Sequence, residues 1–261
     1  MHDEQNVDAF HKNGSQLYSV FERRYNDGQI GGGYATQGLM PDELKRVFPE
    51  VEYATGYAWS ALNTFEANNK IMKENGNHAG QDFFKMFTYP MLEGNAATAL
   101  QSPVGIAVSK KMAEDFFGSP QQAIGKTIRY NNKKDLKITA VFDNVPTSSS
   151  LQFDYIINWQ IFLEDNSWAK NWANNGPLTC VMLRKGTDAK AFENKISRFL
   201  DKYNKEQTAQ VYIRLGIQRY GDVYLNPDLD KNGNISGGRI QYVKLFSIVA
   251  IFILLIACII L

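Results

Sequence analysis

LTCVMLRKGTDAKAFENKISRFLDKYNKEQTAQVYIRL, residues 178–215, is the stretch that decides the fold. Leu178 to Arg184 reads as a strand. Thr187 or Asp188 then offers a side-chain oxygen to cap a helix. Behind that cap, Phe192, Ile196, Phe199, Leu200 and Tyr203 recur at helical spacing and form one apolar stripe. Gln210 to Leu215 alternates again, with Val211, Ile213 and Leu215 on one face. The stretch is a β-α-β unit.

Working outward, the same grammar recurs near the start. Gln16 to Tyr25 alternates as a strand, and Gly31, Gly32, Gly33 and Gly38 mark a loop. Pro41 opens a short helix carrying Leu44, Val47 and Phe48, which Pro49 ends. Val51 to Ala61 returns as a strand with Tyr53, Thr55, Tyr57 and Trp59 on one face. The glycines are not a dinucleotide fingerprint: counted from Gly31, the last glycine of G-x-G-x-x-G falls on Thr36.

Between the halves lies a more irregular insert. Asp82 is placed to cap a short helix of Phe83, Phe84, Met86 and Phe87 that Pro90 breaks. Ser109 caps a second, with Met112, Ala113, Phe116 and Phe117 on one face and Gly118 as terminator. Lys126–Tyr130 and Leu136–Val145 pair across the Asn131-Asn132 turn. A connection bearing Trp159, Trp168 and Trp172 leads into the second half. The expectation is an α+β fold with a discontinuous first subdomain.

Composition limits the function. The 261 residues carry a net charge of +1, which argues against nucleic-acid binding, and 44% apolar content supports a sizeable core. Cys180 and Cys258 exclude a disulfide framework, and His2, His11 and His78 leave little room for a histidine metal centre or triad. Mean hydropathy is −0.33, yet the sequence closes on LFSIVAIFILLIACIIL, 245–261, apolar all round and without charge. As a helix this run spans roughly 25 Å, close to a bilayer core. It is read as a transmembrane helix cut while still apolar. No signal peptide follows Met1. The chain is therefore expected to be either cytoplasmic or a fragment of a longer protein. Arg239 and Lys244 before the span do not fix its side.

Catalytic constellations are scarce. GNISGG at 233–238 has the wrong spacing for a nucleophile elbow, and Ser109 lacks the lysine of S-x-x-K. Cys180 reads as a small core residue, and His78, in NGNHAGQD, as a solvated histidine. DLDKNGNISGGR, 228–239, places Asp228, Asp230 and Asn232 at positions one, three and five of a calcium loop and Gly233 at six. Its twelfth position is Arg239 instead of a bidentate glutamate, so the favoured reading is a solvated turn leading into the span. The sequons at Asn13 and Asn234 carry little weight. The clusters FFKMFTYPM and KKMAEDFF are read as core. No catalytic, cofactor-binding or metal-ligating residue is nominated, no cofactor is expected, and the chain is read as not an enzyme.

Several segments together resemble a known family. They are VDAFHKNGSQLYSVF (7–21), PDELKRVFPEVEYA (41–54), QDFFKMFTYPMLEGNAATAL (81–100), GIAVSKKMAEDFFGSPQQAIGKTIRYN (105–131), ITAVFDNVPTSSSLQFDY (138–155) and the apolar run 249–261. In this order they resemble the MacB-like periplasmic domain of FtsX/MacB/LolC-type ABC transporter permeases, in the form common in Bacteroidetes. Two features depart from the family pattern. Pro146 is followed by Thr147 and a serine run where P-x-x-S-H is usual, and the helix expected before Asp8 is missing.

The resemblance implies a two-lobed periplasmic domain on the bacterial inner membrane. A porter-like lobe of both β-α-β halves would take 10–70 and 150–240, an inserted Sabre-like lobe 71–149, and a truncated transmembrane helix 245–261. It implies a cytoplasmic ABC ATPase subunit or domain, a second permease copy in a dimer, and a periplasmic adaptor or cargo. The function implied is mechanotransmission, in efflux or lipoprotein-type transport. The alternative from the residues is a membrane-tethered extracytoplasmic sensor or ligand-binding domain, with calcium as one ligand.

Overall fold

The computed structural model describes Glu4 and residues 6–260, with side chains described except at 254–257, 259 and 260. In chain order the strands are β1 (Leu17–Asn26), β2 (Gln29–Gly33), β3 (Val51–Tyr57), β4 (Ala61–Ala67), β5 (Lys70–Ala79), β6 (Met91–Glu93), β7 (Gly105–Ser109), β8 (Thr127–Tyr130), β9 (Lys134–Phe142), β10 (Tyr155–Asn158), β11 (Leu178–Leu183), β12 (Val211–Arg219), β13 (Asp228–Leu229) and β14 (Ile235–Gly237). The helices are α1 (Met40–Val47), α2 (Phe83–Met86), α3 (Lys110–Phe117), α4 (Pro120–Ala123), α5 (Trp159–Asp165), α6 (Ala189–Ile196), α7 (Leu200–Tyr203), α8 (Tyr220–Val223) and α9 (Arg239–Ile260).

The two β-α-β halves interleave. Their strands run β3-β11-β1-β12, each pair antiparallel, with α1 and α6 as the crossovers. This is the split β-α-β arrangement. Alternation sorts the side chains: Val20, Val181, Leu183 and Leu215 bury against Leu44, Phe192 and Ile196 of the two helices. Leu17, Cys180 and Met182 point to the opposite face. Asp188 caps α6 by accepting from the Lys190 and Ala191 amides. The long stripe breaks after Ile196, and α7 carries its end as a separate turn.

The insert is more regular than its sequence suggests. β5, β10, β7, β9, β8 and β4 hydrogen-bond in a closed ring, because β10 pairs with β7 on one side and with β5 on the other. Closure leaves the ring itself without an edge, and β6 lies outside it, paired antiparallel to β9. Phe65, Ile106, Val108, Leu136 and Tyr155 fill one cluster with Met112 and Phe116 of α3. Ser109 caps α3 by accepting from the Met112 amide at 3.1 Å, and Gly118 ends it at φ 89°.

Among the described residues the split sheet joins this ring in register only at Tyr57–Ala79. What binds the two groups is aromatic. Phe83, Phe84, Phe87 and Tyr89 lie in one cluster with Leu17, Cys180 and Met182 of the split sheet and with Ala107, Ala140, Phe142 and Ile156 of the ring. The FFKMFTYPM motif is thus core, as its spacing predicts, and core of a particular kind: it mortars two strand groups together.

Four expectations are corrected. The glycines at 31–33 belong to β2, an antiparallel partner of β1, because a strand without side chains can lie close to the hairpin above it. A Cβ on Gly32 would meet Leu229 Cδ1 at 2.8 Å. Val51–Ala61 is not one strand; β3 ends at Tyr57 and a hairpin, β4–β5, begins at Ala61. Asp82 makes no cap hydrogen bond; its buried carboxylate instead pairs with Lys45 of α1 and with Lys85 at 2.9 Å. His78 is not a loop residue: it lies half-buried in β5, with Nε2 sealed and unpartnered among the described residues.

The apolar C-terminal run is helical as α9. Among the described residues no helix is long and apolar enough to cross a membrane. The end of the predicted span, at 254–257 and 259–261, lies outside the described side chains.

Candidate functional site

The segments before β1 and after β12 meet on one side of the split sheet. The leading segment is fastened along its length. Asp8, at φ 61°, donates its amide to the Ser148 carbonyl at 2.9 Å and accepts from the Ser150 amide at 2.8 Å. His11 Nδ1 accepts from the Thr88 amide at 3.1 Å, and Asn13 donates to the Met86 carbonyl at 3.1 Å. Rings of Phe10, Phe87, Tyr89 and Tyr220 surround the His11 imidazole, with centroids 4.2 to 5.8 Å away.

That aromatic enclosure sets the electrostatics. Burial drives the His11 pKa down to about 4 and pushes the neighbouring Asp8 carboxyl up. With Nδ1 accepting, the neutral ring carries its proton on Nε2, which has no partner among the described residues. An open cavity of about 430 Å³ adjoins, lined by residues including Asp8, His11, Lys12, Arg219 and Asp222.

The trailing segment is equally tied. RYGDVYL, 219–225, reads as extended from its sequence, yet it turns into α8 directly after β12. Gln218 Nε2 donates to the Asn226 carbonyl at 3.1 Å. The β13–β14 hairpin lies beside β2, and Arg23 Nε of β1 donates to the Gly233 carbonyl at 2.8 Å. Within it, Asp230 Oδ1 accepts from the Asn232 and Asn234 amides at 2.8 and 2.9 Å, and those amides hold its carboxyl below the usual range. The candidate calcium carboxylate is therefore occupied in building an Asx turn. Among the described residues no group of three His, Cys, Asp or Glu side chains is placed to hold a metal ion.

α9 starts on this hairpin without slack. Ile240 donates its amide to the Leu225 carbonyl at 3.0 Å. The Arg239 guanidinium stacks 4.6 Å from the Tyr224 ring centroid, and its Nη1 donates to Tyr224 Oη at 3.2 Å. Tyr224 Oη in turn donates to Glu4 Oε2 at 3.0 Å. One phenol thus ties the leading segment to the first residue of the terminal helix. Gly238, at φ 127°, makes the corner; a Cβ there would strike Pro227 Cδ at 2.4 Å. Arg239 figured in the sequence only as a charge, and nothing in the spacing of Glu4, Tyr224 and Arg239 announces their meeting.

The other residues weighed for chemistry are structural. Cys180 is fully buried 3.6 Å from Ser19 Oγ, and burial pushes its thiol up to about 12. Cys258 is exposed on α9. Ser109 is spent as a cap.

The architecture is a split β-α-β sheet with an inserted closed ring, with the segments before β1 and after β12 joined through Tyr224. A family profile described as the MacB-like periplasmic core domain matches residues 1–199. The chain belongs to that family.

The fold is shared with solved structures. A domain of a permease protein from Porphyromonas gingivalis superposes with a TM-score of 0.68 at 18% identity, covering 80% of this chain and 92% of that one. The periplasmic region of MacB from Actinobacillus actinomycetemcomitans gives 0.53 at 13% identity, covering 77% and 88%. The extracellular domain of the ABC-type transporter YknZ from Gram-positive bacteria gives 0.53 at 14%, covering 77% and 99%. Comparison with curated proteins finds no match.

Proposed function

We propose that this domain is the extracytoplasmic part of an ABC transporter permease and passes ATPase-driven movement of membrane helices to a periplasmic adaptor or cargo. In this reading α9 begins a transmembrane helix, a cytoplasmic ATPase subunit or domain supplies the stroke, and two permease copies act as a dimer on the inner membrane. The charge-free run from Leu245 supports the placement of the helix. We also propose two working lobes, a base on the split sheet and an inserted lobe on the ring. β4 and β10, assigned from sequence to the discontinuous lobe, are drawn here with the inserted one, because their hydrogen bonds complete its ring.

The single observation that carries the reading is the Tyr224 clamp. A lever requires that its shaft not swivel, and α9 leaves the folded domain through a cation–π stack and two hydrogen bonds, with no flexible linker. The test is a distance measurement. In the full-length permease reconstituted with its ATPase, spin labels at Glu66→Cys of both copies should change separation between nucleotide-free and ATP-trapped states. An unchanged separation overturns the proposal.

A further inference from the structure

Two tryptophans stand out of the fold where large apolar rings are normally hidden. Trp59 is 55% exposed and Trp168 36%. Trp59 follows β3 and Trp168 lies in the 3-10 turn after α5, yet both converge on one glycine. A Cβ on Gly176 would fall 2.7 Å from Trp168 Cη2 and 3.0 Å from Trp59 Cη2. Hydrogen bonds and packing hold the Trp168 ring. Its Nε1 donates to Asn166 Oδ1 at 3.2 Å, and it stands edge-on to Phe162, which stacks at 4.4 Å on buried Trp159.

Beside the Trp168 ring is an open cavity of about 370 Å³ lined by Trp168, Ala173, Asn174 and Asn175; Trp59 flanks it across Gly176. The lining has no ionisable side chain. Asn174 Nδ2 donates to the Trp168 carbonyl at 3.1 Å and Asn175 Nδ2 to Glu22 at 2.8 Å. Both amides are thus oriented, and their Oδ1 atoms remain acceptors without a protein partner among the described residues.

We propose that this platform binds a neutral saccharide. A pyranose presents an apolar C–H face that suits an exposed, rigid indole and a rim of hydroxyls that donate to amide oxygens. A charged ligand finds no counter-charge in this lining, and an acyl chain would leave the amides unpaired.

The test uses the tryptophan emission of the full chain, titrated to millimolar concentration with neutral oligosaccharides of glucose, mannose, galactose and N-acetylglucosamine. At least one should give a saturable change. Trp59→Ala and Trp168→Ala should each weaken it about tenfold, a loss near 1.4 kcal/mol, while Trp168→Phe and Trp172→Phe, the latter at a ring packed on Phe199 and Tyr203, stay within a few-fold. Gly176→Ala, which pushes a methyl between the rings, should weaken binding as well. A silent panel, or a response unchanged in the Trp59→Ala/Trp168→Ala double variant, overturns the proposal. So does a double variant whose sole effect is lost self-association, since the platform would then be a protein contact.

Discussion

His11 and His78 are where single residues respond to solution conditions. Burial takes both imidazoles down to about 4, from an ordinary value of 6.5. The unfolded chain therefore takes up protons first as pH falls. The stability these neutral rings contribute is complete above about pH 6.5 and is lost on the way to about 4, roughly 2–3 kcal/mol per ring at most. Asp8, raised by burial, works in the opposite direction. Thermal unfolding between pH 7 and 4.5 should show the fall, and His78→Phe should flatten its share; a flat profile in the parent chain contradicts this. Asp82 is a second sensitive residue. Asp82→Ala leaves Lys45 and Lys85 facing each other without their shared anion. It should destabilise the fold by about 2–4 kcal/mol, measured by denaturant titration. The sequence presents Asp82 as a cap because it precedes a helical run. Its real partner, Lys45, is 37 positions away, a distance local spacing does not encode.

At the scale of elements, β-α-β periodicity was readable because each crossover helix buries one stripe against strands that alternate. The boundaries of β1, α1, α3, β8, β9 and β11 follow from caps, prolines and turns within a few residues of each. The ring was less legible. Its β4–β5 hairpin carries a weak pattern, LNTFEANNKIMKEN, in which Phe65 is buried while Leu62 and Ile71 are exposed. Its turn, Asn68-Asn69, sits at φ 50° and 60° and is a hairpin signal of the same kind as Asn131-Asn132. Ring closure depends on Gly76, opposite Tyr155 in β10. A Cβ there would lie 2.4 Å from the Tyr155 carbonyl oxygen. Gly76→Ala should therefore cost about 1–3 kcal/mol and raise amide exchange in β5 and β10; unchanged exchange would show that the ring tolerates the methyl. Phe83→Ala, in the mortar between the strand groups, should cost about 3–5 kcal/mol by the same denaturant titration.

For the whole molecule, the decisive features are contacts between distant parts of the chain. Ordered motifs brought the family into view, but the clamp joins residues 4, 224 and 239, which no repeat or spacing links. The proposed transmission requires a domain stiff from α9 to the β4–β5 tip, and the contacts that would serve it are the aromatics packed between split sheet and ring and the hydrogen bonds at the start of α9. Stiffness at the Gly238–Arg239 corner is the claim on which the transmission account stands. Its most direct test inserts a short Gly-Ser segment at that corner in the full-length permease with its ATPase, and the same segment at the Asn68-Asn69 tip as a control. Spin-label separation across the ATP cycle is then read in both. The account predicts that the corner insertion abolishes the nucleotide-driven change with ATP hydrolysis intact, while the tip insertion leaves it. A change that survives at the corner would contradict it.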